Sequence, residues 1–231
     1  RGDDGAPGPR GGPCVPGGAL RAPPTGGGEP RCTGRPTGYP GAVRRPTRMS
    51  DQLSGTSVAL LRARRGTEEV EFTEPRDALT DAGADVDVVG SETGTAETVN
   101  EDLNEGGSYE VERSFGDVSA EEYDALVIPG GCVGADTLRA DEAAVGFVGG
   151  FLEAGKPMGV ICHGPWVLVE AGGVEGRRLT SYHSIRTDLR NAGGDPVDEA
   201  VVVDDGLVTS RNPDDLDAFC EAVVEEFADR T

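Results

Sequence analysis

Residues 158–166 read MGVICHGPW, and the reading of these nine residues decides the fold. Met158 to Ile161 is an apolar run, Cys162-His163 follows it, and Gly164-Pro165 comes next. That order describes a buried strand, a sharp corner and a helix. A strand-to-helix corner that carries a nucleophile needs a small residue two places on, because the backbone folds back tightly, and Gly164 meets that need. A thiol there sits in strained backbone above a sheet and at a helix N-terminus. The positive end of the dipole then favours thiolate, lowering the pKa by about one to several units from about 8.5. The plain alternative is that Cys162 is a small core residue, a common fate for cysteine.

Outward from this corner the chain alternates strand and helix. Residues 56–63, TSVALLRA, form a β-rich apolar run and the first strand. Residues 66–83 have acids in a first helical turn, Pro75 predicting a kink or break, and Gly83 as a C-terminal cap. Residues 84–90 alternate as a strand, and 91–117 are polar and glycine-rich, read as a loop with a short hairpin around SYEVERS. Ser119 is a capping signal before a buried strand at 124–128, which ends at Pro129-Gly130-Gly131. Residues 141–155 predict a helix with Val145, Val148, Phe151 and Leu152 on one face, 163–173 another, and 184–194 a short one. Residues 200–210 read as a strand, an Asp-Gly turn and a strand. The last helix carries Leu216, Phe219, Cys220, Val223, Val224 and Phe227 as one core stripe. Such alternation predicts an α/β fold, a mostly parallel sheet covered on both faces, with ligands at the carboxyl ends of its strands. Two loops leave at that end with suitable chemistry, Pro129 to Cys132 and Ile161 to Pro165. The amide of His163 and one from Gly130-Gly131 converge there as a candidate oxyanion hole, each donor worth roughly 3 kcal/mol.

Composition divides the chain in two. Residues 1–48 hold 13 glycines and 10 of the 16 prolines, with 8 arginines against 3 acids. Such a segment buries too little apolar surface to offset its ordering entropy and is expected to be disordered. Its end, RPTRMSDQLSG, suggests Met49 as the natural start of a single domain over 49–231. Arg44-Arg45 is followed by no apolar stretch, and no run approaches the roughly 18 apolar residues of a bilayer span, so a cytoplasmic protein is expected. Residues 49–231 carry 13 Lys+Arg against 39 Asp+Glu, net −26, and Lys156 is the only lysine. That charge repels nucleic acid and anionic membranes and suits solvation in a high-salt cytoplasm. The five cysteines, 14, 32, 132, 162 and 220, show no Cys-x-x-Cys spacing, which argues against a disulfide framework or structural zinc. No cofactor or metal is expected.

Four stretches, DALVIPGG (124–131), EAGKPMGVICHGPWVLVEAGGVEGRRLTSY (153–182), IRTDLRNAGGDPVDE (185–199) and VVVDDGLVTSRNPDDLDAFC (201–220), closely resemble the PfpI/ThiJ family in sequence and in order. The resemblance implies a flavodoxin-like three-layer sandwich with a nucleophile elbow, the class I glutamine amidotransferase-like fold. By it, Cys162 matches the nucleophile and His163 its adjacent histidine. The family keeps a glutamate after the first strand, in a Gly-aromatic-Glu setting, bonded to the thiol. Gly66-Thr67-Glu68 matches that setting with Thr67 departing from it, so the resemblance assigns the acid to Glu68. Its peptidase-like branch borrows a third acid from a neighbouring subunit. Asp136 takes that place with one extra residue in the loop, which requires a homo-oligomer, a dimer or a hexamer. By residue type alone, Glu68 belongs to a solvated acidic face and Asp136 to a helix N-cap.

Cys132, Tyr182 and His183 are further candidates for lining the pocket; His183 stands where the family often has proline. Gly131 and His163 supply the expected oxyanion amides. The resemblance implies thiolate attack on a carbonyl: glutathione-independent glyoxalase chemistry, deglycation, or peptide cleavage, the substrate being a small carbonyl or a peptide. A cramped elbow favours the small carbonyl. The competing expectation is a non-catalytic stress protein, sensing oxidants through Cys162 or holding unfolded chains. A glutamine amidotransferase needs a separate downstream His-x-Glu, and His183 is followed by Ser-Ile.

Overall fold

The structure is a computed structural model that describes residues 51–231, so the expectations for residues 1–48 and Met49 lie outside the described residues. The first part of the fold runs β1 (Ser57–Leu61), β2 (Thr67–Glu68), α1 (Glu69–Asp81), β3 (Asp85–Gly90), β4 (Gly94–Asn100), β5 (Asn104–Val111), β6 (Arg113–Ser114) and β7 (Ala125–Ile128). It continues α2 (Cys132–Arg139), α3 (Glu142–Ala154), β8 (Met158–Ile161), α4 (Pro165–Glu170), β9 (Arg178–Leu179), α5 (Arg186–Asn191), β10 (Asp195–Pro196), β11 (Val201–Asp204), β12 (Leu207–Ser210) and α6 (Leu216–Arg230).

Seven strands form the main sheet in the order β11-β12-β8-β7-β1-β3-β6, all pairs parallel except β11 with β12. Alternation along β1 explains the three layers. Ala59 and Leu61 face one core with Phe147, Phe151, Val167 and Leu168, while Val58 and Leu60 face the other with Phe72, Phe219, Val223 and Phe227. The sheet is thus apolar on both faces, as a parallel sheet between helices must be. The α/β sandwich expected from the sequence is the one observed.

Several local expectations are corrected. Pro75 neither breaks nor ends α1, which runs through it to Asp81. Its ring removes one backbone donor, but burial of Phe72, Pro75 and Leu79 holds the helix in place. Most of the expected 91–117 loop is an antiparallel hairpin, β4 with β5, and β2 adds to β4 as a short parallel pair. Its inward residues are Ala96, Thr98 and Val111, too weakly apolar to signal a strand. The hairpin is held from outside its own sequence. The Glu69 carboxylate accepts from the Asn100 side chain, the Gly107 amide and the Tyr109 hydroxyl, at 2.9, 2.9 and 2.7 Å. Val145 and Leu152 are half-buried, and the buried face of α3 is Ala144, Phe147, Val148 and Phe151. Cys220 is half-buried, packed against the second core.

Ends are set where the sequence placed them. Gly83 takes φ 97° after α1, with its amide on Thr80 O and that of Ala84 on Leu79 O. Asp141 caps α3, accepting from the amides of Ala143 and Ala144. The Asp205-Gly206 turn has both residues at positive φ, as a two-residue hairpin demands. No helix among the described residues is long and apolar enough to cross a membrane.

Candidate active site

Three loops meet beyond the carboxyl ends of β1, β7 and β8. At the β8 corner Cys162 has φ 61°, a left-handed conformation costing a non-glycine residue roughly 1–2 kcal/mol. Its amide donates to Ser210 O at 3.1 Å, and its carbonyl accepts from the Tyr182 amide at 2.9 Å. The turn closes with the Gly164 amide on Ile161 O at 2.8 Å. A Cβ at Gly164 would stand 2.8 Å from Ile128 O and 2.9 Å from Ile161 O, so glycine is required for close approach.

The amides of Gly131 and His163 lie against the Cys162 sulfur and favour its ionised form. These are the two expected as oxyanion donors, and in the resting site the thiol nonetheless keeps its proton. Gly130 has no room for a side chain: a Cβ there would lie 2.5 Å from Glu71 Oε2 and 2.6 Å from Cys162 Cβ.

The acid on the thiol is Glu71, where the sequence reading expected Glu68. Glu71 is fully buried, accepts the Gly130 amide at 3.0 Å through Oε2, and lies against Cys162. Its Oε1 has no hydrogen-bond partner among the described residues. Burial pushes Glu71 up to about 8, with the Cys162 hydrogen bond pulling back, so the carboxyl keeps its proton at neutral pH. The sequence did contain a signal for it. Glu71 precedes Phe72, Pro75 and Leu79 on the inward face of α1, whereas Glu68 is the residue before the helix begins.

Glu68 is also buried, but its carboxylate accepts the amides of Glu101 and Asp102, at 2.8 and 3.2 Å, and so holds the hairpin tip. Asp102 was not singled out from the sequence. It reaches across to the first amide of α2, its Oδ1 accepting from Cys132 N at 2.6 Å.

His163 is buried, with Nδ1 3.3 Å from Cys162 Sγ and Nε2 3.4 Å from Ser184 Oγ. Its ring lies 4.6 Å from that of Tyr182, and Trp166 borders it at 5.4 Å. Burial pushes His163 down, the Asp102 charge partly opposing this and His183 adding to it. The imidazole is therefore neutral at neutral pH. With Nε2 carrying the proton toward Ser184, Nδ1 is left to accept one from sulfur.

Burial and the Glu71 charge push the Cys162 thiol up, against the two amides that pull it down. This corrects the expectation of a thiolate favoured by a helix dipole. Helix α4 has six residues and starts three places after Cys162, while the thiol is 6 % exposed. Desolvation outweighs so short and displaced a dipole.

The remaining candidates lie further out. Asp136 is exposed on α2, inside the helix and not at its cap, and no hydrogen bond joins its side chain to His163 within the chain. Cys132 opens α2 half-buried, its thiol pushed up by burial and then by Asp102 and Asp136. Tyr182 packs between His163 and His183, and His183 is itself exposed. Among the described residues no group of three or more His, Cys, Asp or Glu converges as metal ligands do.

Comparison with known proteins identifies the family. Residues 56–226 match the model of the DJ-1/PfpI family. General stress protein 18 of Bacillus subtilis is 44 % identical over 153 residues, covering 66 % of this chain and 87 % of that protein. DJ-1beta of Drosophila melanogaster superposes with a TM-score of 0.67 at 30 % identity, covering 75 % of this chain and 90 % of that one. A two-domain protein of Anabaena variabilis, with DJ-1/ThiJ/PfpI-like and ferritin-like domains, gives 0.68 at 37 % identity, covering 73 % of this chain and 49 % of that one.

Proposed function

The chain belongs to the DJ-1/PfpI family, and from that premise we propose that it is a cysteine-dependent enzyme of stress defence acting on reactive carbonyl compounds, of glyoxalase or deglycase type. The observation that carries this reading is the Cys162 sulfur, placed between His163 Nδ1, the Glu71 carboxyl and two backbone amides.

Each group has a task in the first step. The thiol is protonated at rest, so attack and deprotonation go together. Sulfur bonds to the carbonyl carbon as its proton passes to Nδ1 of neutral His163. The carbonyl π electrons move onto oxygen, and the Glu71 carboxyl, protonated at neutral pH, supplies a proton to that oxygen. The Gly131 and His163 amides stabilise the negative charge that develops on this oxygen before the Glu71 proton arrives. A 6 % exposed thiol under a close-packed corner suits a two- or three-carbon dicarbonyl better than an extended peptide. We place peptide cleavage second, with Asp136 on the outer face of α2 available to a neighbouring subunit's histidine.

The test is conversion of methylglyoxal to lactate by the purified chain and by Cys162→Ser, run beside suppression of aggregation of a denatured client. The reading expects lactate from the parent and at least about a hundredfold loss in the variant. A non-catalytic stress protein would leave both samples without lactate and equally protective.

A further inference from the structure

Two adjacent residues at the β4–β5 tip, Glu101 and Asp102, have φ of 55° and 62°. Neither is glycine, and left-handed backbone at consecutive non-glycine residues persists only when its surroundings hold it. Here the holder is identified. The buried Glu68 carboxylate takes both amides, at 2.8 and 3.2 Å, and the Glu68 amide itself donates to Gly130 O at 3.3 Å. The tip is thereby turned so that Asp102 Oδ1 meets Cys132 N at 2.6 Å. Cys132 is the residue after Gly131, whose amide lies against the Cys162 sulfur.

We infer that Asp102 is a positioning residue of the active site: clamped by Glu68, it fixes the Gly131–Cys132 peptide through the Cys132 N–H and so keeps the Gly131 amide on the Cys162 sulfur. The inference rests on the cysteine-enzyme reading and adds a residue to it. The loop between β7 and α2 is pinned on one side at Gly130, whose amide donates to Glu71 and whose carbonyl accepts from the Glu68 amide; on the other side the first amide of α2 depends on Asp102, because the Gly131 cap has no side chain. A short, charge-assisted bond from a residue locked in place supplies that constraint. The groups facing Cys162 are Glu71 from α1, His163 beside it, and the amides of Gly131 and His163. The Asp102 charge acts on His163, Glu71 and Cys132, the His183 charge on His163 and the Asp136 charge on Cys132.

Positioning and bare charge make opposite predictions for the thiol. Removing a negative charge from the site makes Cys162 more acidic, whereas freeing the Gly131 amide makes it less so. The experiment is the pH profile of Cys162 alkylation by iodoacetamide, read by peptide mass spectrometry, in the parent, Asp102→Asn, Asp102→Ala and Asp102→Gly. The asparagine keeps an oxygen for the Cys132 amide. The glycine is at ease at φ 62°, so it separates loss of the carboxylate from backbone strain. The Ala and Gly variants are expected to move the midpoint upward and slow alkylation at pH 7.5 by about tenfold, one hydrogen bond's worth. Asn is expected to stay at or below the parent's midpoint. Downward movement in all three, no movement in any, or equal upward movement in Asn and Ala overturns the inference. A parent whose Cys162 resists alkylation at every pH would instead sink the cysteine-enzyme reading, and the two failures are distinct.

Discussion

Glu71 and Cys162 form a buried, electrostatically coupled pair in which the carboxyl, fixed by the Gly130 amide at 3.0 Å, keeps its proton at neutral pH. Two groups that would each be charged alone cannot both be charged in so dry a place. The site's dependence on pH follows from that pair.

Stability should fall as pH rises toward 8. A carboxyl raised from 4.5 to about 8 binds its proton in the folded chain where the unfolded chain has released it. Its contribution is complete below about pH 4.5 and is lost as pH climbs to about 8, at no more than about 1.4 kcal/mol per unit. Glu71→Gln removes this slope. Urea melts at pH 5.5 and 8.0, in constant high salt, should show the variant gaining on the parent at the higher pH.

The same variant should split acidity from turnover. Without the Glu71 charge the Cys162 thiol becomes more acidic, so alkylation above pH 8 speeds up. Without a proton to give, carbonyl turnover drops by about ten- to a hundredfold. Parallel alkylation and lactate assays on Glu71→Gln check both directions, while Glu68→Gln should leave the thiol's midpoint closer to that of the parent.

Gly130→Ala should disable the site without touching a catalytic side chain. Its Cβ would lie 2.5 Å from Glu71 Oε2, 2.6 Å from Cys162 Cβ and 2.9 Å from His163 N, so the site must shift to take it. Overpacking of this kind costs about 1–3 kcal/mol. A thermal melt should show that loss, and Cys162 alkylation should change as Glu71 is displaced.

Ser184→Ala tests the orientation of His163. Their 3.4 Å contact is long, so removal should lower turnover by only about two- to fivefold. His163→Ala removes the base and should cost at least about a hundredfold. Steady-state rates on methylglyoxal, with KM and kcat separated, give the comparison.

The layered fold could be read from residue order because its causes are local. Apolar runs such as Ala125–Ile128, the Gly83 and Gly155 ends and the Asp205-Gly206 turn each announce themselves within a few residues. The corner at Cys162 was equally legible, since Gly164 two places on has one mechanical purpose. What escaped depends on contacts distant in sequence. The β4–β5 hairpin is held by Glu69, which lies 31 to 40 residues from the groups it accepts. Asp102 acquires its role only when Glu68 and Cys132 close around it. The acid at the thiol was misplaced by three residues, because a neighbour-by-neighbour match to Gly66-Thr67-Glu68 took no account of which way a helix faces. Among three acids in four residues, Glu68 and Glu69 hold the hairpin while Glu71 serves the sulfur.

The central claim, that the Cys162 sulfur itself engages the carbonyl, is tested most directly by protection. The chain is incubated with graded methylglyoxal, pulsed with iodoacetamide, and its cysteines are quantified by peptide mass spectrometry while lactate is measured in the same samples. The account predicts that Cys162 labelling falls over the methylglyoxal range that saturates lactate formation, with Cys132 and Cys220 labelling unchanged. Lactate forming while Cys162 stays fully open to labelling would contradict it.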